Sequence, residues 1–385
     1  MPAILALASD HQISPVICQT LYEAADSVCS TAVFQRAAGG ALVQAGVQSA
    51  ATAEFTGLYR KMTDQGLHPL VVKGAVIREL YPRGSLRPSI DEDLLIREEE
   101  AEACSALLVR EGFSQVLPEQ SFRTSSEISY ENRERHLYLE VHKTLFPEES
   151  SAYGRLNALF DHVWDNTEVQ PVNRVSLYTQ GADDHLLYLI LHAYKHFLYS
   201  GVGIRPLCDI GLYAERYEKQ INWTRLRDCL EKAHAFVFAC ALFRIIELYL
   251  LRDAAFFRNL TEWKLEEQDS VPLLQDILDG GLHGSATLVR RHSAGITLKA
   301  VENDRQGKKH KESLLSLIFP PAKSLTGRYP YLIRNPILLP YAWGQRLLHY
   351  AAEVKNSSGT GTAEESLAIG RKRIELLRHY GIIDS

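Results

Sequence analysis

The stretch Leu70–Glu100, LVVKGAVIRELYPRGSLRPSIDEDLLIREEE, decides the fold. An apolar run breaks at Lys73-Gly74, a short helical pattern follows, and three carboxylates, Asp91, Glu92 and Asp93, open a second apolar run. Adjacent carboxylates repel, so a cation is expected among them. The pattern predicts a strand over 70–72, a helix over 75–81, a strand over 90–96 and a helix over 98–111 closed by Gly112. Alternation in HLYLEVHKTL, residues 136–145, predicts one more half-buried strand, with Leu137, Leu139 and Val141 against Tyr138, Glu140 and His142. These elements make a small α/β unit ending near Pro147.

Strand residues two apart share a face and lie roughly 6–7 Å apart along it. Asp91 and Asp93 therefore point together, while Glu92 points with Ile90, Leu94 and Ile96. Two convergent aspartates at a strand end can bracket a pair of divalent ions about 4 Å apart, and Glu140, on the polar side of its own strand, would complete the ligand set. His142 shares that side. An isolated Asp-x-Asp is more often an exposed strand end, here beside an acidic helix start at Glu98–Glu100. The Lys-Gly step changes the balance. A strand that ends in Gly74 and passes into a helix offers backbone N–H groups to a phosphate chain, and Lys73 and Arg87 can add charge beside it, though each taken singly is more often a structural ion pair.

Outward from this unit the patterns are helical. Residues 14–66 form a helical segment, interrupted at most at Gly39-Gly40, and beyond Pro147 nearly everything is predicted helical, in particular 182–201, 205–220 and 222–251. Residues 303–313 around Lys308 are expected as a solvated loop, and 356–366 as a linker before a last helix to about Tyr380. The division is thus a helical segment over 1–66, a core over 67–150 and a helical domain over 151–385. His192 and His196 stand four apart on one helix face with His185 near it, a spacing that suits zinc. No Glu stands between them, which favours lining an acceptor pocket or packing inside the helical domain, with Asp209 able to orient one of them.

Composition narrows the class. A net charge of −5 over 385 residues argues against bulk nucleic-acid binding. Six cysteines without a Cys-x-x-Cys pair read as reduced thiols of a cytoplasmic protein. No signal peptide is read at the N-terminus, and no run is long enough for a membrane span.

The order Lys73-Gly74, Tyr81-Pro82, Arg87-Pro88 and Asp91-x-Asp93 resembles the signature of the nucleotidyltransferase superfamily related to DNA polymerase beta and kanamycin nucleotidyltransferase. More narrowly it resembles a bacterial branch of uncharacterised nucleotidyltransferases, which Glu140 before His142, the LHAYKH helix with Asp209 after it, and residues 328–348 also match. The resemblance touches most of 68–348. Two positions depart from the wider pattern: Gly74-Ala75 stands where Gly-Ser is usual, and Glu92 where an apolar residue is. The resemblance implies an α+β fold with a small polymerase-beta-like sheet core, a helical N-terminal segment and a large helical C-terminal domain. It implies transfer of a nucleoside monophosphate from an NTP to a hydroxyl-bearing acceptor, which could be a small molecule, a protein side chain or an RNA end. Asp91, Asp93 and Glu140 would hold two Mg²⁺ ions, with Mn²⁺ as the alternative. Lys73, Gly74 and Arg87 would bind the nucleotide, and His142, His192, His196 and Asp209 would face the acceptor. The rival expectations are a protein that keeps the fold for binding or regulation without turnover, and a metal-dependent hydrolase built on His192, His196 and Asp209.

Overall fold

The structure, a computed structural model, describes residues 2–24, 31–199, 201–281, 288–305, 322, 325, 329, 331–356 and 363–384. It divides into two compact units, residues 1–197 with 201–286, and residues 198–200 with 287–385.

The first unit opens with α1 (Pro2–Asp10), α2 (Ser14–Ala24) and α3 (Ala32–Asp64). Helix α3 runs straight through Gly39-Gly40, because its inward stripe is continuous: Phe34, Ala41, Gln48, Phe55 and Met62, seven apart, are all buried. The sheet is built next, from β1 (Leu70–Val71), β2 (Asp91–Leu95), β3 (Ser114–Gln115), β4 (Glu127–Asn132) and β5 (Leu137–His142), with α4 (Ala75–Arg78) after β1 and α5 (Ala101–Arg110) after β2. Its order is β1-β2-β5-β4-β3. Strands β2 and β5 run parallel and the other pairs antiparallel. One face carries Leu94, Leu139, Val141, Ile128 and Tyr130, all buried. Tyr59 of α3 ties the layers, donating its hydroxyl to the Pro69 carbonyl at 2.6 Å and accepting from the Tyr178 amide at 3.0 Å.

The expectation of almost pure helix beyond Pro147 is corrected by a hairpin, β6 (Thr167–Val172) with β7 (Val175–Gln180). Its two-residue turn puts Asn173 and Arg174 at φ 47° and 64°. Positive φ at both positions matches the twist of the flanking strands, and Asn tolerates that conformation well. Helices α6 (Ala182–Tyr199), α7 (Ile204–Arg216), α8 (Trp223–Lys232), α9 (Phe236–Ile245) and α10 (Val271–Gly280) follow. Phe197 of α6 stacks on Phe238 of α9 at 4.8 Å between ring centroids.

The second unit contains α11 (Leu288–Arg305), α12 (Tyr331–Arg334), α13 (Leu339–Asn356) and α14 (Ala363–His379). Helix α11 packs along α14, and Leu325, Tyr329, Leu332 and Ala342 form a separate apolar cluster. Of the loop expected over 303–313, residues 303–305 are the end of α11, and of the linker expected over 356–366, Asn356 ends α13 and 363–366 begin α14; the rest of both stretches lies outside the described residues. No described helix is long and apolar enough to cross a membrane. The five described cysteines are free thiols.

Candidate active site

Strand register assembles the site. Across the parallel pair Asp93 lies beside Glu140 and Leu95 beside His142, and across the antiparallel pair Ser129 lies beside Glu140 and Glu127 beside His142. Parity then places Asp91, Asp93, Glu140, His142 and Glu127 on one face, opposite the apolar one. Ligand atoms of Asp93, Glu140 and His142 all lie within 4.8 Å of one another. The Nε2 of His142 is 3.3 Å from Asp93 Oδ1 and 3.7 Å from Glu140 Oε2, and its Nδ1 is 3.4 Å from Glu127 Oε2.

The cation expected among the carboxylates is Lys73. Its Nζ lies 2.9 Å from Asp93 Oδ2 and 3.8 Å from Asp91 Oδ2, and donates to His192 Nε2 at 3.3 Å. Asp91 is joined to the convergent three through this ammonium. Burial opposes charge on both partners, but the attraction wins: Asp93 and Asp91 hold Lys73 above its ordinary pKa, and Lys73 with His142 holds Asp93 well below the usual carboxylate range. Glu140 goes the other way. Burial, then the negative charge of Asp93, Glu127 and Asp91, pushes it up to about 8.

The Glu140 shift carries a testable sign. In the unfolded chain Glu140 ionises near pH 4.3, while in the folded, metal-free protein it holds its proton to about pH 8. Its contribution to stability is therefore fully present below about pH 4.3 and is lost as pH rises through 8. Glu140→Gln in EDTA is expected to melt like the parent near pH 4.5 and several degrees higher at pH 8.5. Parallel melting curves across that range would show that Glu140 ionises normally.

Glu92 has a different task. It points to the buried face, where Oε2 accepts from the Ala75 amide at 2.8 Å and Oε1 meets the guanidinium of Arg78. The first N–H of α4, expected for a phosphate, is thus given to a carboxylate of the chain. Gly74 makes this possible: it sits at φ 63°, and a Cβ there would come within 2.0 Å of Glu92 Oε2. The end of β1 is pinned as well, with Thr179 donating to the Val71 carbonyl at 2.7 Å and His185 Nε2 lying 2.9 Å from the Val72 carbonyl. Burial lowers His185 to about 4, so it is neutral and Nε2 is its donor.

Arg87 and Asp209 are placed on each other. Arg87 donates from Nε and Nη2 to the two oxygens of Asp209, each at 2.7 Å, and Tyr81 donates to Oδ1 at 2.7 Å. Burial opposes the pairing, yet Arg87 is held above and Asp209 below their ordinary values by each other. Tyr81-Pro82 and Arg87-Pro88 thus act as a clasp between the segment entering β2 and helix α7. Beside it the buried Arg205 donates from Nη1 to the Pro88 carbonyl at 2.7 Å and to Gln12 Oε1 at 2.6 Å. His192 meets the site through Lys73, and His196 packs edge-on to His192 at 4.6 Å. Among the described residues the three groups that converge as a metal set are Asp93, Glu140 and His142, so the set His192, His196 and Asp209 of the hydrolase expectation is not brought together.

These side chains fit a divalent cation. Two carboxylates and an imidazole converge, and the buried Oδ2 of Asp93 already holds a cation, the Lys73 ammonium at 2.9 Å. With that geometry in view, the comparison with protein families is decisive: the model of a family described as "Uncharacterised nucleotidyltransferase" matches residues 1–250. The chain belongs to this family. No curated protein and no solved structure matches it. For a nucleotidyltransferase the match implies an NTP as substrate, and it spans the sheet, the Lys73 step and the helices that carry His192 and Asp209. Glu127, Arg78 and Arg205 are residues of this candidate site that sequence reasoning missed. Alternation in EISYEN was a usable signal for Glu127, whereas nothing local marks the other two.

Proposed function

We propose that this protein transfers a nucleoside monophosphate from an NTP to a hydroxyl-bearing acceptor at the face that carries Asp91, Asp93 and Glu140. The observation that carries the reading is the in-register pair Asp93–Glu140 with Lys73 between Asp93 and Asp91. Asp91, Asp93 and Glu140 would hold two divalent ions, Mg²⁺ or Mn²⁺, which polarise the α-phosphate and lower the pKa of the acceptor hydroxyl. Lys73, displaced from the aspartates, neutralises the triphosphate, and Gly74 keeps the strand end free of a side chain there. Glu140 ionises once its negative neighbours are compensated, and its carboxylate then accepts the hydroxyl proton. Helices α6 and α7 supply the acceptor wall, with His192 and His196 nearest the α-phosphate. Arg87 and Asp209 position this wall through their clasp instead of touching substrate.

The test is a screen of the four NTPs with Mg²⁺ or Mn²⁺, following pyrophosphate release against panels of small alcohols, proteins and RNA ends. Release with one NTP that depends on an acceptor, and is absent in EDTA, is the expected result. No release with any combination would leave only a binding role for the fold.

A further inference from the structure

We infer that His142 is a metal ligand, so that the position shared by Asp93, Glu140 and His142 prefers first-row transition ions, of which Mn²⁺ is the spectroscopic probe, over Mg²⁺. The inference rests on the metal-dependent reading above and names the ion at that site.

Three observations converge. First, His142 is buried, and its Nε2 faces Asp93 Oδ1 at 3.3 Å and Glu140 Oε2 at 3.7 Å. Both separations fall inside the span that the ligands of one ion occupy. An ion with bonds of roughly 2.1 Å keeps its ligand atoms at most about 4.2 Å apart, and the three groups already lie within 4.8 Å. Second, the other ring nitrogen, Nδ1, lies 3.4 Å from Glu127 Oε2, its cross-strand neighbour. A metal-bound imidazole almost always gives its second N–H to a carboxylate, which fixes the tautomer and raises the basicity of the coordinating nitrogen. Third, the buried Asp93 Oδ2 has the Lys73 ammonium at 2.9 Å as its counter-charge, a charge that a divalent ion beside the imidazole would supply in its place. An all-oxygen site suits Mg²⁺, whereas an imidazole nitrogen shifts preference toward transition ions. The alternative is an imidazolium that merely separates Asp93, Glu140 and Glu127.

The test uses the full chain without nucleotide. Mn²⁺ is titrated by electron paramagnetic resonance, and pulsed spectra are read for coupling to ¹⁴N. Expected are a bound Mn²⁺ with a nitrogen coupling, displaced by Mg²⁺ only at a concentration about tenfold or more above that of Mn²⁺, as a nitrogen ligand demands. His142→Gln should remove the coupling and weaken Mn²⁺ by about 10- to 100-fold while leaving the Mg²⁺ affinity near its starting value. Glu127→Gln should keep the coupling and weaken Mn²⁺ by about tenfold, which separates orientation from coordination even if His142→Gln folds poorly. Bound Mn²⁺ without nitrogen coupling, competing equally with Mg²⁺, overturns the inference and leaves nucleotidyl transfer standing. No divalent binding at all, with or without an NTP, overturns both.

Discussion

Asp93→Asn is expected to lower nucleotidyl transfer by at least about a thousandfold, a rise of roughly 4 kcal/mol in the barrier. Asp93 is 1% exposed, lies in register with Glu140, and faces both Lys73 and His142. An amide there keeps the volume but removes the charge that all of these groups converge on, so the loss falls on chemistry and ion binding, not on packing. The fold should persist, because the amide keeps the volume of the carboxylate and Asp91, 3.8 Å away, still faces the Lys73 ammonium. Pyrophosphate release in single turnover, paired with a melting curve, checks both halves. Turnover within tenfold of the parent at an unchanged melting temperature would remove Asp93 from the reaction.

The second large effect is on stability. Asp209→Ala should cost about 3–5 kcal/mol, because it strands the buried Arg87 guanidinium without its counter-charge and takes the acceptor from the Tyr81 hydroxyl as well. Arg87 is 2% exposed and Asp209 4%, so water cannot replace the lost carboxylate without opening the packing. The double variant Arg87→Met with Asp209→Leu should recover most of that loss, since an apolar pair of similar volume leaves no buried charge. Urea titration with a constant slope against denaturant measures the difference. A loss below about 1 kcal/mol for Asp209→Ala would place the pair among weak, solvated bridges.

Much of this architecture was legible in the chain, and the reasons are physical. Period-two alternation exposes a strand half-buried on one face, which is why Asp91, Asp93, Glu140 and His142 could be assigned to one side before any coordinates. The same parity put Glu92 on the apolar side without saying what it does there, because its partner Arg78 is set by how α4 packs and leaves no trace in spacing. Strand β4 hid in a stretch rich in Ser, Thr and Glu. The β6–β7 hairpin hid behind Pro171, which cannot donate to a ladder, and a turn without glycine. A lone Arg and a lone Asp each suit several roles: Arg87 fits a phosphate or a structural ion pair with no partner named, and Asp209 fits a histidine or an acceptor pocket. Only the fold shows that they face each other across 122 positions of chain.

That separation has a bearing on when the site comes into being. Contacts between segments so far apart are rewarded only after the entropy of closing a long loop has been met, and domains mature largely as the chain is synthesised from its N-terminus. In a chain made only as far as Glu140, the segment leading into β2 carries the Arg87 guanidinium and the Tyr81 phenol without the carboxylate that receives them in the fold. Only when helix α7 emerges can Asp209 receive both. Closing the clasp therefore waits on α7, and the segment entering β2 gains its counter-charge only once the chain has been made as far as Asp209.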